Sequence, residues 1–153
     1  LQHVKPHGSL YNMSVGNEAM IRAIVEAIAG VDRSVIYLAL GGAQEPLVAR
    51  IAKEAGIRVA FEAFPDRAYT PEGTLAPRSI PGAVIKDPKT AAERALRMAK
   101  EGKIVATDGS VLEMRIDTIC VHGDNPSAVE LVRGIRSAIE AEGISVVPMG
   151  SFL

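Results

Sequence analysis

Two periods of hydrophobic and polar positions run along this chain, and they predict strands that alternate with helices. Small and apolar residues recur at helical spacing in Glu18–Ala29, and Gly30 is expected to end that helix. Ser34–Leu40 is almost wholly apolar, as expected of a parallel strand that is buried on both faces. A second helical pattern follows in Gln44–Ala55, and Ile57–Ala63 is predicted to be the next strand.

The second half of the chain continues the same alternation. Asp87-Pro88 is a typical helix start, with Asp87 as N-cap, and the helix is expected to reach about Glu101. The other predicted elements are a short first strand at Leu1–Lys5, a hairpin of Lys103–Ala106 with Val111–Arg115, a strand at Asp117–Val121, a helix at Asn125–Glu142 and a last short strand at Ser145–Pro148.

Strands that alternate with helices indicate an α/β fold with a mostly parallel sheet and right-handed crossovers. No internal repeat or low-complexity linker interrupts the pattern, so residues 1–153 are predicted to form a single domain. In such folds ligands bind beyond the carboxyl ends of the strands. The loops that follow the strands are therefore the places to look for a functional site.

Composition narrows the class of protein and its partners. The chain carries 17 basic and 18 acidic residues, and no basic tract indicates nucleic-acid binding. Cys120 is the only cysteine, which excludes a disulfide framework within the chain. The apolar runs are much shorter than a membrane span. These features favour a reduced, cytoplasmic setting without nucleic-acid or membrane partners.

The loop after the first predicted strand, KPHGSLYN at residues 5–12, contains Lys5, Pro6, His7 and Gly8. In an extended segment the side chains of Lys5 and His7 point to the same side, and Gly8 permits a sharp exit. A cation beside a titratable ring suits anion binding, proton transfer or metal ligation. The alternative is a surface loop whose polar residues have no common role.

The loop at residues 64–82 is long and contains four prolines, which make it stiff. It carries Asp66, Arg67, Tyr69 and Arg78. Arginines suit a carboxylate or phosphate, which they grip with two hydrogen bonds, and an aspartate nearby suits a base or an orienting group. The alternative is an ordered loop in which Asp66 and Arg67 only brace each other.

The loop after the strand with Cys120 reads His122-Gly123-Asp124-Asn125-Pro126. Asp124 or Asn125 is predicted to cap the next helix, with Pro126 in its first turn. Capping does not account for His122, which is either a site residue or a half-buried, hydrogen-bonded histidine. Cys120 itself is predicted to be a core residue rather than a nucleophile.

Four separated blocks in this chain resemble the LamB/YcsF family: VKPHGSLYN, FPDRAYTPEGTLAPRS, PGAVIKDP and DTICVHGDNPSAV. The resemblance covers nearly the whole chain. It implies a distorted seven-stranded β/α barrel of the glycoside hydrolase/deacetylase type. It also implies an ATP-dependent 5-oxoprolinase activity that opens 5-oxo-L-proline to L-glutamate, with Mg²⁺ accompanying ATP and with partner subunits B and C.

Members of this family carry early blocks that resemble DLNCDLGE, CGFHAGD and HPGYPD, and none of these occurs here. The chain is therefore expected to lack the amino-terminal strands of the barrel and to resemble its carboxy-terminal part. A partial barrel exposes strand edges, so the isolated 153 residues are expected not to work as a monomer and to need another segment, a second copy or a partner.

Under this hypothesis eight residues are candidates for the site. Coupling a lactam to ATP requires cations for phosphate and carboxylate groups and a base for water. The catalytic candidates are Lys5, His7, Asp66 and His122; the candidates for binding substrate or nucleotide are Arg67, Tyr69, Arg78 and Asp124. Two alternatives remain open: a metal-dependent carbohydrate deacetylase or amidohydrolase, whose metal ligands the sequence does not identify, and a non-catalytic interaction subunit.

Overall fold

A computed structural model describes residues 1–153 as an α/β fold with a curled parallel sheet. The strands are β1 (His3–Val4), β2 (Ile36–Leu40), β3 (Arg58–Ala63), β4 (Lys103–Val105), β5 (Val111–Glu113) and β6 (Thr118–Ile119). Four parallel strands lie in the order β1-β2-β3-β6, and β4 and β5 form a separate antiparallel hairpin. The helices are α1 (Gly8–Ser14), α2 (Glu18–Val31), α3 (Glu45–Ala55), α4 (Pro88–Glu101) and α5 (Ala128–Ala141), followed by a 3₁₀ turn at Met149–Ser151.

The strand β2 confirms the prediction of a strand buried on both faces, since all five of its residues are buried. Tyr37 and Ala39 face the apolar sides of α2 and α3, where Ile21, Val25 and Ile51 are almost fully buried. Ile36 and Leu38 face the other side of the sheet. One face of β2 is therefore covered by helices α2 and α3, and the opposite face is the inner side of the curled sheet.

Helix ends are largely predictable because their causes are local. The Asp87 carboxylate accepts a hydrogen bond from the Thr90 amide, and α4 ends at Gly102 in the left-handed conformation, as the sequence predicts. Gly56 ends α3 in the same way. Gly30 does not end α2, because the helix continues through it to Val31.

Three further predictions of local structure are wrong. Residues 8–14 form α1 instead of a loop, and residues 145–148 form no strand because no neighbouring strand pairs with them. Neither Asp124 nor Asn125 is the N-cap of α5, which is Ser127. Asn125 instead closes a turn, with its side-chain oxygen accepting a hydrogen bond from the Ser127 amide, and Pro126 lies outside the helix.

The sheet has two open edges, since β1 pairs only with β2 and β6 pairs only with β3. Beside β6, an apolar groove of about 540 Å³ is lined by residues that include Val132, Ile135, Val146 and Phe152. The expectation that the isolated 153 residues do not act as a monomer stays a prediction. No helix combines the length and hydropathy that a membrane crossing requires.

Candidate functional site

The candidate site lies at the carboxyl ends of β1, β3 and β6. Lys5 follows β1, Asp66 follows β3, and His122 follows β6. Because the three strands belong to one parallel sheet, their carboxyl ends meet at the same edge. Phe64 lies between these side chains and contacts both Lys5 and His122.

The deepest part of the site is an ion pair between Lys5 and Glu62. Lys5 Nζ donates to Glu62 Oε2 at 2.7 Å and lies 3.4 Å from Cys120 Sγ. The side chains of Lys5 and Glu62 are only 14% and 1% exposed, so each charge has lost most of its water and is stabilised by the other. The ammonium also lies over two aromatic rings, 4.9 Å from the centroid of Phe64 and 5.3 Å from that of Tyr11.

Two buried polar atoms lie beside this ion pair, Glu62 Oε1 and the hydroxyl of Tyr11. Burial first, and then the charge of the Glu62 carboxylate and a hydrogen bond from the tyrosine hydroxyl to that carboxylate, raises the pKa of Tyr11 far above its ordinary value. The Tyr11 hydroxyl therefore keeps its proton and remains a hydrogen-bond donor at physiological pH.

A second pair joins Asp66 to His122. Asp66 Oδ2 accepts a hydrogen bond from the His122 backbone amide at 3.0 Å and lies 3.0 Å from ring Nδ1. Because a carboxylate only accepts, this contact places the ring proton on Nδ1 and leaves Nε2 as an acceptor. The imidazole also stacks on Phe64, with ring centroids 5.0 Å apart. Asp66 Oδ1 is buried and has no partner.

Outside this pair lies a polar cavity of about 200 Å³. Its walls include Asp66 and His122 together with the cationic residues Arg67, Arg78 and Lys86. Arg78 Nη1 donates to Asp124 Oδ2 at 2.5 Å, and this bond lowers the pKa of the Asp124 carboxyl. The cavity therefore offers both a histidine nitrogen and positive charge to a small ligand.

The residues predicted from the loop at 64–82 do not all reach this cavity as ligand-binding groups. Arg67 Nη2 donates to the Ala76 carbonyl at 2.6 Å and its Nε donates to the Ala83 carbonyl at 3.3 Å, so Arg67 mainly braces the loop. It does not pair with Asp66, in contrast to the alternative that the sequence leaves open. Burial, and next the neighbouring Arg78, lowers the pKa of the Arg67 guanidinium.

Tyr69 and His7 do not lie where a ligand-binding or catalytic role would require. Tyr69 is fully buried, and its hydroxyl oxygen accepts a hydrogen bond from the Phe64 amide at 2.9 Å. It supports the site from behind rather than facing a ligand. His7 is exposed at the start of α1 and makes no hydrogen bond there, whereas Lys5 turns into the core. The expected common side of Lys5 and His7 is not realised, because β1 ends at Val4.

Sequence reasoning missed Glu62, Tyr11 and Arg94. A signal for Glu62 was available, since it is the only charge in the apolar run Val59–Phe64, and a buried charge needs a partner. Arg94 gave no such signal. It reaches from α4 to the carbonyls of Pro65 and Arg67, at 3.0 and 2.8 Å, and fixes the backbone on either side of Asp66.

The two buried tyrosines of the site allow a matched test of this geometry. We expect Tyr69→Phe to lower the free energy of unfolding by about 1–2 kcal/mol, because it leaves the buried Phe64 amide without an acceptor. Tyr11→Phe removes a hydroxyl whose partner is the Glu62 carboxylate, and that carboxylate keeps its ion pair with Lys5, so the loss of stability should be smaller than that of Tyr69→Phe. Urea unfolding of the full chain measures both. Equal losses in the two variants would contradict the hydrogen-bond assignment.

A scan against family models matches residues 1–153 to the LamB/YcsF family. The chain is 53% identical over 153 residues to the A subunit of 5-oxoprolinase from Pyrococcus furiosus, and the match covers 100% of this chain and 59% of that relative. It is 42% identical over 153 residues to the A subunit of 5-oxoprolinase from Halalkalibacterium halodurans, where the match covers 100% of this chain and 58% of the relative.

A solved structure has the same fold. The lactam utilization protein from Thermus thermophilus superposes with a TM-score of 0.84 at 44% sequence identity. The match covers 97% of this chain and 57% of that one. The chain thus spans a little under three fifths of the length of the relatives it matches.

Proposed function

This chain belongs to the LamB/YcsF family, and from that membership we propose that it forms part of the A subunit of an ATP-dependent 5-oxoprolinase. The reaction is hydrolysis of 5-oxo-L-proline to L-glutamate, carried out with partner subunits B and C in the cytoplasm. The observation that carries the proposal is the Asp66–His122 pair, which opens onto a cavity lined by cations.

The chemistry of the reaction makes clear what the site has to supply. Amide resonance protects a lactam from water, and transfer of the γ-phosphoryl group of ATP to the lactam oxygen removes that protection. Water then adds to the activated carbon, and the ring C–N bond breaks as the nitrogen takes up a proton, which leaves an acyl phosphate. A second water hydrolyses the acyl phosphate to glutamate and inorganic phosphate. The site must therefore stabilise negative charge and accept a proton from water.

His122, oriented by Asp66, is suited to accept the proton from water. The Nε2 atom of His122 makes no hydrogen bond within the chain and is available to take a proton from water. Asp66 orients the ring and stabilises the imidazolium that forms, as a buried carboxylate does in other histidine-based sites. Packing against Phe64 restricts the ring further.

Stabilisation of negative charge is assigned to three cationic residues of the cavity: Arg78, Lys86 and Arg67, the last through its Nη1 atom. Arg67 uses its other nitrogens on loop carbonyls, which leaves Nη1 without a partner in the chain. Arg78 is half-exposed and held only by Asp124. An entering carboxylate or phosphate competes with Asp124 for Arg78, and such charge-assisted bonds are the strong ones.

Metal ligands are not clustered among these 153 residues. No group of three or more His, Cys, Asp or Glu side chains is arranged to hold a metal ion. The donors present therefore do not fit a resident metal, and no step of the proposed reaction is assigned to one. No observation favours the metal-dependent deacetylase over the 5-oxoprolinase.

The proposal is tested by following glutamate and ADP formation from 5-oxo-L-proline and ATP with the full chain and subunits B and C. We expect turnover that requires ATP. Activity that does not depend on ATP and that is abolished by a chelator would support the metal-dependent alternative instead. Complex formation without any effect of site substitutions on turnover would indicate a non-catalytic role for the chain.

In the same assay Arg78→Ala should raise the KM for the anionic substrate or for ATP about tenfold, because a charge-assisted hydrogen bond is lost. Arg136→Ala is the matched control, since Arg136 is exposed on α5 and pairs only with Glu140. Arg67→Ala should also weaken turnover, but it disturbs the loop as well. Unchanged kinetics for Arg78→Ala would remove Arg78 from the site.

A further inference from the structure

The polar cavity at the carboxyl ends of the strands holds positive charge that has no counterion within the chain. Three cationic side chains line it, against two carboxylates. Both carboxylates are engaged, since Asp66 faces the imidazole and Asp124 pairs with Arg78. No carboxylate of the cavity is therefore left to pair with the other two cations, Arg67 and Lys86.

Arg67 is the stronger indication of a missing anion, because its charge is buried. The residue is only 6% exposed, and its Nε and Nη2 atoms donate to backbone carbonyls, which carry no charge. Its Nη1 atom makes no hydrogen bond within the chain and is not sealed from solvent. Burial and the neighbouring Arg78 lower the pKa of the guanidinium, so an anion at Nη1 relieves an existing electrostatic cost.

The other two cations lie closer to the surface. Lys86 is exposed where it lines the cavity, and its ammonium has no partner within the chain. Arg78 is half-exposed and pairs only with the Asp124 carboxylate, which is itself 63% exposed. An anion that enters the cavity therefore meets cations on both its exposed and its buried side.

The size and the lining of the cavity limit the kind of molecule that carries this anion. Its volume of about 200 Å³ is below the roughly 300–1,000 Å³ typical of pockets for drug-sized ligands. Val84 and Pro126 are the only apolar residues of its lining, so it offers no apolar slot for a purine base. The cavity therefore fits a small anion better than it fits a nucleotide.

The lactam 5-oxo-L-proline is a small anion, a single ring that carries one carboxylate. Arginine matches a planar carboxylate better than any other side chain does. Only Cα and the ring nitrogen separate that carboxylate from the lactam carbon, so a bound carboxylate keeps the lactam carbonyl in the same cavity. His122, whose Nε2 atom has no partner within the chain, lines that cavity too.

We infer that Arg67, Arg78 and Lys86 form a subsite for the carboxylate of the lactam substrate, so that neutral lactams are rejected and ATP binds outside this cavity. The carboxylate replaces Asp124 as the partner of Arg78 and provides Arg67 Nη1 with the anion that it lacks. The inference rests on the proposed function for the identity of the lactam, and it adds which group of that lactam the cations bind.

The test compares two lactams that differ in charge. Dissociation constants of 5-oxo-L-proline and 5-oxo-L-prolinamide are measured by calorimetry on the full chain with its partner subunits, without ATP. The carboxamide has the shape of the carboxylate but no charge, so it should bind at least about tenfold more weakly. A non-hydrolysable ATP analogue should not displace 5-oxo-L-proline. Equal binding of the two lactams, or competitive displacement by the analogue, would overturn the inference.

Substitutions then assign the preference to the cations. Arg78→Met and Lys86→Met should each weaken binding of 5-oxo-L-proline about three- to tenfold and leave binding of 5-oxo-L-prolinamide nearly unchanged, so the preference shrinks. Arg67→Met should reduce the preference further, but it also removes two hydrogen bonds that brace the loop. The two exposed cations keep the test decisive if Arg67→Met folds poorly.

Two exposed cations outside the cavity provide matched controls. Lys53 lies in the last turn of α3, and Arg136 lies on α5 and pairs with Glu140. Neither Lys53→Met nor Arg136→Met should alter the preference between the two lactams. A preference that stays at the parent value in both Arg78→Met and Lys86→Met would show that the carboxylate binds elsewhere and would refute the subsite.

The outcome is separable from that of the proposed function. If the chain prefers 5-oxo-L-proline through Arg78 and Lys86 but glutamate release does not require ATP, the carboxylate subsite holds and the proposed function fails. If ATP-dependent glutamate release occurs but the two lactams bind equally, the subsite is wrong and the proposed function stands.

Discussion

His122→Gln is expected to lower turnover of 5-oxo-L-proline by about 10²–10⁴-fold, the range typical of a lost general base. The glutamine keeps a polar group near Asp66 but removes the Nε2 acceptor that the proposed reaction uses. Asp66→Asn should also cause a large loss, because the asparagine no longer fixes the tautomer of His122 or stabilises its charged form.

Steady-state kinetics of glutamate release by the full chain with its partner subunits measure both variants. The effect should fall on kcat rather than on KM, since neither change removes a cation from the cavity. His3→Gln serves as the control, because His3 is an exposed histidine on β1. Normal kcat in His122→Gln, with the fold intact, would show that the reaction takes its base from elsewhere.

Lys5→Met is expected to cause a large loss of stability, about 3–5 kcal/mol, because it leaves the Glu62 carboxylate buried without its counterion. The double variant Lys5→Met/Glu62→Gln should recover much of this loss, since the remaining side chain is neutral. A loss in the double variant as large as in Lys5→Met would mean that lost packing, not an unpaired charge, sets the cost.

Urea unfolding of the full chain provides the measurement for the single and double variants. Arg136→Met is the matched control, since it removes the cation of an exposed pair with Glu140 and should change stability by less than about 1 kcal/mol. A small effect of Lys5→Met, similar to that of Arg136→Met, would contradict the assignment of Lys5 and Glu62 as a mutually dependent buried pair.

Most of the elements were predictable because local rules decide them. The N-cap at Asp87, the stop at Gly102 and the buried run of β2 each depend on residues that are neighbours in the sequence. The failures arise where a partner is needed. Val146 and Val147 suit a strand, yet no neighbouring strand pairs with them. The short helix α1 begins at Gly8, a poor helix former, which is why the sequence pattern favours a loop there.

The candidate site was predictable only as a set of loops. Three candidates, Lys5, Asp66 and His122, do come together around Phe64, because the polar residues that follow parallel strands share one edge of the sheet. Tyr69 and Arg67 belong to the same region, but their hydrogen bonds are made to the backbone of their own loop. Residue type alone does not distinguish a group that binds a ligand from one that holds a loop.

The sequence by itself determined the alternation of the main strands and helices, the family, and the loops in which most of the polar residues lie. Those properties follow from local periodicity and from short motifs. Only the tertiary structure decided which charged and polar side chains pair with each other. Lys5 meets Glu62 across 57 positions and Asp66 meets His122 across 56, because the register of β1, β2, β3 and β6 places them together. Burial then turns these contacts into a strong mutual dependence, since a charge removed from water is stable only beside its partner.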